Sequence, residues 1–226
     1  MLQHAKGTCA TLKYFAEYHV WANRTLMSAI IQQPLPITAT SSPSLSSLPK
    51  PPFDPIVIGT TKCSCLFFTT VKATASHIAI VDDLWFHRII NKPKYEYNTI
   101  YSDDFAASQW DGIHGTFNEA LDAMLKNDII LLNHVVNIEK DLKSDKNEVA
   151  LARAKQLLSL SGVKYLDTKG ATTNKQEAAC LLHVFNHATH HRGQIHAAMS
   201  HLHASSLCPS PPALDAPVMG TYITQM

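Results

Sequence analysis

Four stretches of the chain repeat apolar residues at intervals of three and four, which is the period of an amphipathic helix. These stretches cover about residues 11–31, 69–91, 115–143 and 173–203. Pro34 and Pro93 end the first two patterns, because proline interrupts helical hydrogen bonding. Thr173 or Asn174 is the predicted N-cap of the fourth helix. The pattern therefore predicts an all-α fold built on four helices.

Residues 34 to about 68 interrupt this helical pattern. Proline and serine dominate "PLPITATSSPSLSSLPKPPFDP", which contains too little apolar surface to offset the entropy of ordering it. We interpret residues 34–68 as a loop inserted into a single domain that spans residues 1–226. The β-branched and aromatic residues of "IVIGTTKCSCLFF" either form a short strand or pack the loop onto the domain. The loop is either a lid over a functional site or a surface decoration.

The segment before the fourth helix contains turn and strand signals. Two β-prone patches lie around Ser161 and Gly162, and a turn is predicted at Lys169 and Gly170, which together indicate a small hairpin. The preceding charged run, residues 139–148, alternates in sign and is predicted to end a solvated helix or to form its loop. The hairpin is thus a minor addition to an all-α chain.

Composition and charge exclude several classes of partner. The chain has 19 basic and 18 acidic residues without a basic run, so we expect no nucleic acid partner. No apolar stretch reaches the length of a membrane span, and the N-terminus does not resemble a signal peptide, so we expect no membrane association. The five cysteines lack a disulfide-scaffold spacing, which favours a reducing compartment, and we predict a cytoplasmic location.

Histidine is the main candidate for chemistry. Five of the 13 histidines lie between His183 and His196, and His183, His187 and His191 follow one another at intervals of four, so they share one helix face. Two such imidazoles can bind one divalent ion, but a catalytic site usually needs a third ligand. His77, on the second predicted helix, is the candidate. Spacing alone leaves a second interpretation open, because a histidine beside an apolar stripe is more often a hydrogen-bonded core residue.

Several segments carry a resemblance to a known family. "LLHVFNHATHHRGQIHAAM" resembles the last helix of the DinB family, whose signature is His-x-x-x-His-Arg-Gly-Gln. "ATASHIAIVDDLWFHRI" is similar to the family's second helix, "YFAEYHVWANRTLM" resembles its first helix with a Trp-Ala-Asn element, and "PPALDAPVM" resembles its closing segment. The resemblance covers the chain except about residues 37–66.

The resemblance implies a DinB/YfiT-like four-helix bundle of up-down-down-up type that binds a divalent metal, zinc or nickel. By position, the implied ligands are His77, His187 and His191. His183 is either a substrate contact or a packed core residue, and relatives often form homodimers. Cys63 and Cys65 form the other arrangement suited to a soft metal, but they have no partner pair and lie in the inserted loop.

The resemblance implies two catalytic functions, and a third hypothesis comes from another class of protein. The first is a metal-dependent thiol S-transferase that acts on a small-molecule substrate with a low-molecular-weight thiol. The second is a metal-dependent hydrolase that uses a metal-bound water, for which Asp82 or His183 is the candidate general base. The third is a metal-binding stress-response protein without turnover.

Overall fold

The computed structural model of the protein describes residues 1–35, 52–90, 110–167 and 170–214. Its helices are α1 (Leu2–Ile31), α2 (Pro55–Thr60), α3 (Val71–Ile89), α4 (Trp110–Ile113), α5 (Phe117–Leu142), α6 (Asn147–Leu158) and α7 (Glu177–Ala204). Strands β1 (Val163–Leu166) and β2 (Thr172–Lys175) pair antiparallel, with Val163 opposite Lys175. The structure confirms the all-α fold and the small hairpin before the last helix.

Local chemistry sets the starts of three helices. Thr116 and Glu119 form a capping box at α5, in which the Glu119 N–H donates to Thr116 Oγ1 over 3.2 Å and the Thr116 N–H donates to Glu119 Oε2 over 2.7 Å. Thr70 Oγ1 accepts from the Ala73 N–H at the start of α3. At α2, the Asp54 side chain accepts from the Ile56 N–H, and Pro55 occupies the first turn.

Three elements differ from the sequence pattern. A short helix, α2, forms within the segment interpreted as a loop, while residues 36–51 of that segment lie outside the described residues. Helix α6 was not predicted, although its buried residues Ala150, Ala154 and Leu157 follow helical spacing. Thr173 and Asn174 are not helix caps as predicted: both lie in β2, because pairing with β1 keeps this segment extended until α7 begins at Glu177.

The structure divides into two compact units. The first comprises Met1–Glu17, Val81–Phe105 and Ile130–His187, and the second comprises Tyr18–Ile80, Ala106–Ile129 and Ala188–Met226. Each of the four long helices contributes to both units, and each unit contains its own apolar core. The interpretation of residues 1–226 as one domain stays a prediction.

Both cores combine residues of the same four helices. In the first unit the buried residues include Leu12, Ile89, Val135 and Leu181, joined by Leu157 of α6 and Val163 of β1. In the second unit they include Leu26, Ile78, Leu121 and Ile195, joined by Ile58 of α2. The predicted apolar stripes are therefore the surfaces that the helices bury. Within the described part of the chain, no helix is long and apolar enough to span a membrane.

Candidate metal site

The structure brings the three predicted metal ligands together. His77 on α3 and His187 and His191 on α7 each offer a ring nitrogen, and these three atoms lie within 4.8 Å of one another. The rings of His77 and His191, both in the second unit, have centroids 4.6 Å apart and meet edge to face. Two Zn–N bonds of about 2.1 Å span at most about 4.2 Å, so the spacing is close to what one divalent ion requires.

The ring of His191 is oriented by its neighbour one turn along the helix. His191 Nδ1 lies 2.9 Å from Gln194 Oε1, an oxygen that can only accept, so Nδ1 carries the proton and Nε2 keeps its lone pair. Burial lowers the pKa of His191, opposed by the hydrogen bond to Gln194 and assisted by His190. His191 is therefore neutral near pH 7, the form of imidazole that binds a metal.

Phe68 is part of this site, although sequence reasoning did not single it out. Its ring stacks on His77 with the centroids 4.2 Å apart and lies 5.5 Å from the ring of His191. Phe68 is only 4% exposed, whereas its neighbour Phe67 is 69% exposed. Residue 68 ends the segment interpreted as an inserted loop, so the end of that segment contacts two of the candidate ligands. In the sequence, only the adjacent aromatic residues Phe67 and Phe68 indicated that this segment could pack onto the domain.

The other histidines of α7 have different surroundings. The His183 ring lies 6.1 Å from that of His187 and 4.9 Å from the Trp85 ring, so His183 flanks the candidate ligands without joining their group. His190 Nε2 lies 3.2 Å from Gln194 Nε2 on the exposed side. His196 Nε2 lies 3.0 Å from the carbonyl oxygen of Pro212. Successive residues of a helix point about 100° apart, which explains why His190 and His191 have different surroundings.

A second group of metal-ligating side chains, not anticipated as a group, is fully buried. It contains His19 on α1, Asp82 on α3 and Asp128 on α5. Asp82, the candidate general base of the hydrolase hypothesis, thus falls in this group and not among the three histidines. The "Trp-Ala-Asn-Arg" stretch of α1 pointed to this region, but no sequence signal paired it with Asp128.

Protein side chains already use the donor atoms of His19 and Asp128. Arg192 donates to His19 Nδ1 over 3.2 Å, which leaves the proton of His19 on Nε2, 3.0 Å from Asp128 Oδ1. Arg24 donates to Asp128 Oδ2 over 2.8 Å, and Asn23 donates to Oδ1 over 2.7 Å. Two guanidinium groups in contact with these residues oppose a further cation. His19 and Asp128 therefore belong to a buried hydrogen-bond network, and the three histidines are the better candidate metal site.

The two cysteines of the Cys-x-Cys segment are close but differ in exposure. Cys63 is buried, Cys65 is exposed, and the two thiols are hydrogen-bonded. Partial desolvation of the thiol and this hydrogen bond raise the pKa of Cys65 to about 11. Among the described residues, no cysteine belongs to a group of three or more metal-ligating side chains.

The comparison with protein-family models agrees with the all-α fold. The model of the DinB family matches residues 64–206, more than half of the chain, and this match includes all three candidate ligands. The likeness of α1 and of the closing segment to the family lies outside the match and stays a prediction. No curated protein and no solved structure matches the sequence. Because of the extent of the family match, the chain belongs to the DinB family.

Proposed function

We propose that this protein is a divalent-metal-dependent thiol S-transferase that acts with a low-molecular-weight thiol, its metal being held by His77, His187 and His191. The observation that carries the proposal is the group of three ring nitrogens within 4.8 Å of one another. Three protein ligands leave a coordination position for a substrate. A metal bound there would lower the pKa of a coordinated thiol and raise the fraction of nucleophilic thiolate near neutral pH.

The protein's own residues supply binding and orientation. Gln194 sets the tautomer of His191 and directs its Nε2 lone pair away from the Gln194 side chain. Phe68 covers one face of His77, which excludes water there and restricts the rotation of the imidazole. His183 and Trp85 form an aromatic surface beside His187, where a substrate group can pack. Imidazole ligands suit both zinc and nickel, and zinc or nickel is the proposed ion.

The lower pKa of a free thiol supports a thiol over water as the nucleophile, although a zinc ion held by three histidines also activates water. All three members are histidines, and the candidate base Asp82 belongs to the second buried group. A free thiol has a pKa of about 8.5, against 15.7 for bulk water, so a thiol needs far less help to ionise. Hydrolysis and metal binding without turnover are the two alternatives, and the activity measurement described below distinguishes them from thiol transfer.

Metal content tests the site itself. The purified protein and the variants His77→Ala, His187→Ala and His201→Ala should be loaded with zinc or nickel, desalted and measured by elemental analysis. We expect about one ion per chain in the wild type and in His201→Ala, an exposed histidine of the same helix. We expect less than about a tenth of an ion in the other two variants, because two imidazoles rarely hold a structural or catalytic ion. Equal metal content in all four proteins would remove the proposed site.

Activity tests the reaction. Metal-loaded protein should be given glutathione, cysteine or coenzyme A together with 1-chloro-2,4-dinitrobenzene, from which the thiolate displaces chloride. We expect thioether formation that His77→Ala loses and His201→Ala retains. Thiol-independent cleavage of p-nitrophenyl acetate that requires the metal would instead support the hydrolase. Metal binding with neither reaction would support the stress-response protein.

A further inference from the structure

Arg192, the residue after His191, lies at the end of a buried polar network. It is 2% exposed, and it donates to His19 Nδ1 over 3.2 Å and to Asn23 Oδ1 over 3.1 Å. Its other terminal nitrogen donates to Thr189 Oγ1 on its own helix over 2.7 Å. The guanidinium carbon lies 5.3 Å from the centre of the Tyr18 ring. One charged side chain thus links the last helix to α1 through several directed contacts.

The network continues from α1 to α5. Asn23 and His19 both contact Asp128 Oδ1, at 2.7 and 3.0 Å, and Arg24 contacts Asp128 Oδ2 at 2.8 Å. All of these residues belong to the second unit, together with His77, His191 and Phe68. Because the contacts of Arg192 with His19 and Asn23 are directed and buried, a displacement of Arg192 breaks hydrogen bonds that water cannot replace.

Neighbouring residues of a helix point about 100° apart, so Arg192 is held by α1 while His191 contacts His77 of α3. The Arg192 contacts therefore restrict the rotation of α7 about its own axis. A rotation of about 20° moves a ring that lies about 5 Å from that axis by about 1.7 Å. Metal–ligand distances tolerate only about 0.2 Å. The rotation of α7 consequently decides whether His191 can share an ion with His77.

We propose that Arg192 is a positioning residue of the metal site, which acts by fixing the rotation of α7 through His19 and Asn23. The inference rests on the metal binding in the proposed function, but not on the thiol chemistry. It assigns a role to the arginine of the His-Arg-Gly-Gln string and to the asparagine of the Trp-Ala-Asn element, since the two meet in one network.

The test compares the metal affinity of Arg192→Met and Arg192→Lys with that of the wild type, by competition with a chromophoric zinc chelator. We expect affinity to fall at least tenfold in Arg192→Met, which loses every polar contact. Arg192→Lys keeps the charge but cannot contact His19 and Asn23 in the same planar geometry, so its affinity should also fall. The absorption spectrum of cobalt-loaded protein should change in both variants, because it reports coordination geometry and not stability.

Arg153→Met is the matched control. Arg153 is a buried arginine of the first unit, 9% exposed, and its hydrogen bonds go to the buried Glu177 and not to a candidate ligand. We expect this variant to lose stability yet keep wild-type zinc affinity and the wild-type cobalt spectrum. If Arg153→Met weakens zinc binding as much as Arg192→Met, general destabilisation explains both and the positioning role is overturned.

The outcomes also separate this inference from the proposed function. A wild-type protein that binds no zinc overturns the metal site itself. If the wild-type protein binds zinc and both Arg192→Met and Arg192→Lys bind it with wild-type affinity, only the positioning role is overturned. Should Arg192→Met fail to fold, Arg192→Lys still decides the question, since it retains the buried charge that Asp128 and its neighbours balance.

Discussion

Each of the two units contains a buried ionic network centred on one carboxylate. In the first unit, Glu177 accepts two hydrogen bonds from Arg153, at 2.6 and 2.7 Å, and one contact from His134 at 2.7 Å. In the second unit, Asp128 pairs with Arg24 at 2.8 Å and with His19 at 3.0 Å. Both carboxylates are fully buried. The same chemistry therefore occurs twice in one chain.

The two networks differ in the residues that they connect. In the part of the chain that the structure describes, the Glu177 network consists of three residues, which join α5, α6 and the start of α7. The Asp128 network continues through Asn23 and His19 to Arg192, whose neighbour is a candidate metal ligand. Burial and charge alone consequently do not distinguish a structural ion pair from one that supports a site. The two networks differ in their last side chain, because only in the Asp128 network does that side chain, Arg192, adjoin a candidate metal ligand.

The largest expected effect is on stability, and it tests whether Asp128 is the centre of its network. Asp128→Ala leaves Arg24 and the polar groups of His19 and Asn23 buried without their acceptor. We expect the free energy of unfolding in urea to fall by about 3–5 kcal/mol. Glu139→Ala is the control, since it removes a surface carboxylate paired with Lys13 and Lys143, and such pairs contribute about 0–1 kcal/mol. A loss for Asp128→Ala as small as that of the control would contradict the central role.

A smaller effect is expected at the hydrogen bond that orients His191. Gln194→Ala removes the acceptor of His191 Nδ1, and loss of such a partner typically weakens metal binding by about 10–100-fold. Gln194→Glu restores an acceptor at the same position and should recover most of the affinity. The measurement is zinc competition with a chelator. If Gln194→Ala binds zinc as the wild type does, the tautomer of His191 is not controlled by this contact.

The smallest expected effect is a pH dependence of stability that arises from Glu177 in the first network. Burial raises the pKa of Glu177, but its contacts with His134 and Arg153 outweigh burial and leave the pKa below the ordinary value. A lowered folded pKa means that the stabilisation is fully present above about pH 4.3, the usual glutamate pKa in an unfolded chain, and is lost as pH falls through the folded pKa.

The free energy of unfolding, measured between about pH 6 and pH 3, should therefore decline less steeply in Glu177→Gln than in the wild type. Glu148→Gln, which changes an exposed glutamate at the start of α6, should keep the wild-type slope. Parallel curves for the wild type and Glu177→Gln would show that Glu177 does not titrate differently in the folded and unfolded states.

Much of the fold was predictable from local pattern. The apolar stripes located the four long helices because a helix that packs on one side repeats its buried residues at three and four. The end of α1 at Ile31 and of α3 at Ile89 agree closely with the predicted ends before Pro34 and Pro93. Helix α6 was not predicted, because the charged residues around it resemble a solvated loop. Its short apolar face stabilises the helix only by packing against the core of the first unit.

The site was predictable in part. The spacing of His187 and His191 and the position of His77 come from helical geometry and from the family resemblance, and the structure places their nitrogens together. Phe68, His19 and Asp128 carry no comparable signal. Each acquires its role through residues far away in the chain, as Asp128 does through Asn23, 105 positions earlier.

By itself, the sequence determined the helical period, the pair of histidines on one helix face and the membership of a family, because these are properties of neighbouring residues and of local strings. The tertiary structure brought together two groups of metal-ligating side chains, and it decided in which of them other side chains already occupy the donor atoms. That distinction depends on whether arginine and asparagine side chains from other helices already occupy the donor atoms. Only the packing of α1, α5 and α7 in the second unit determines this.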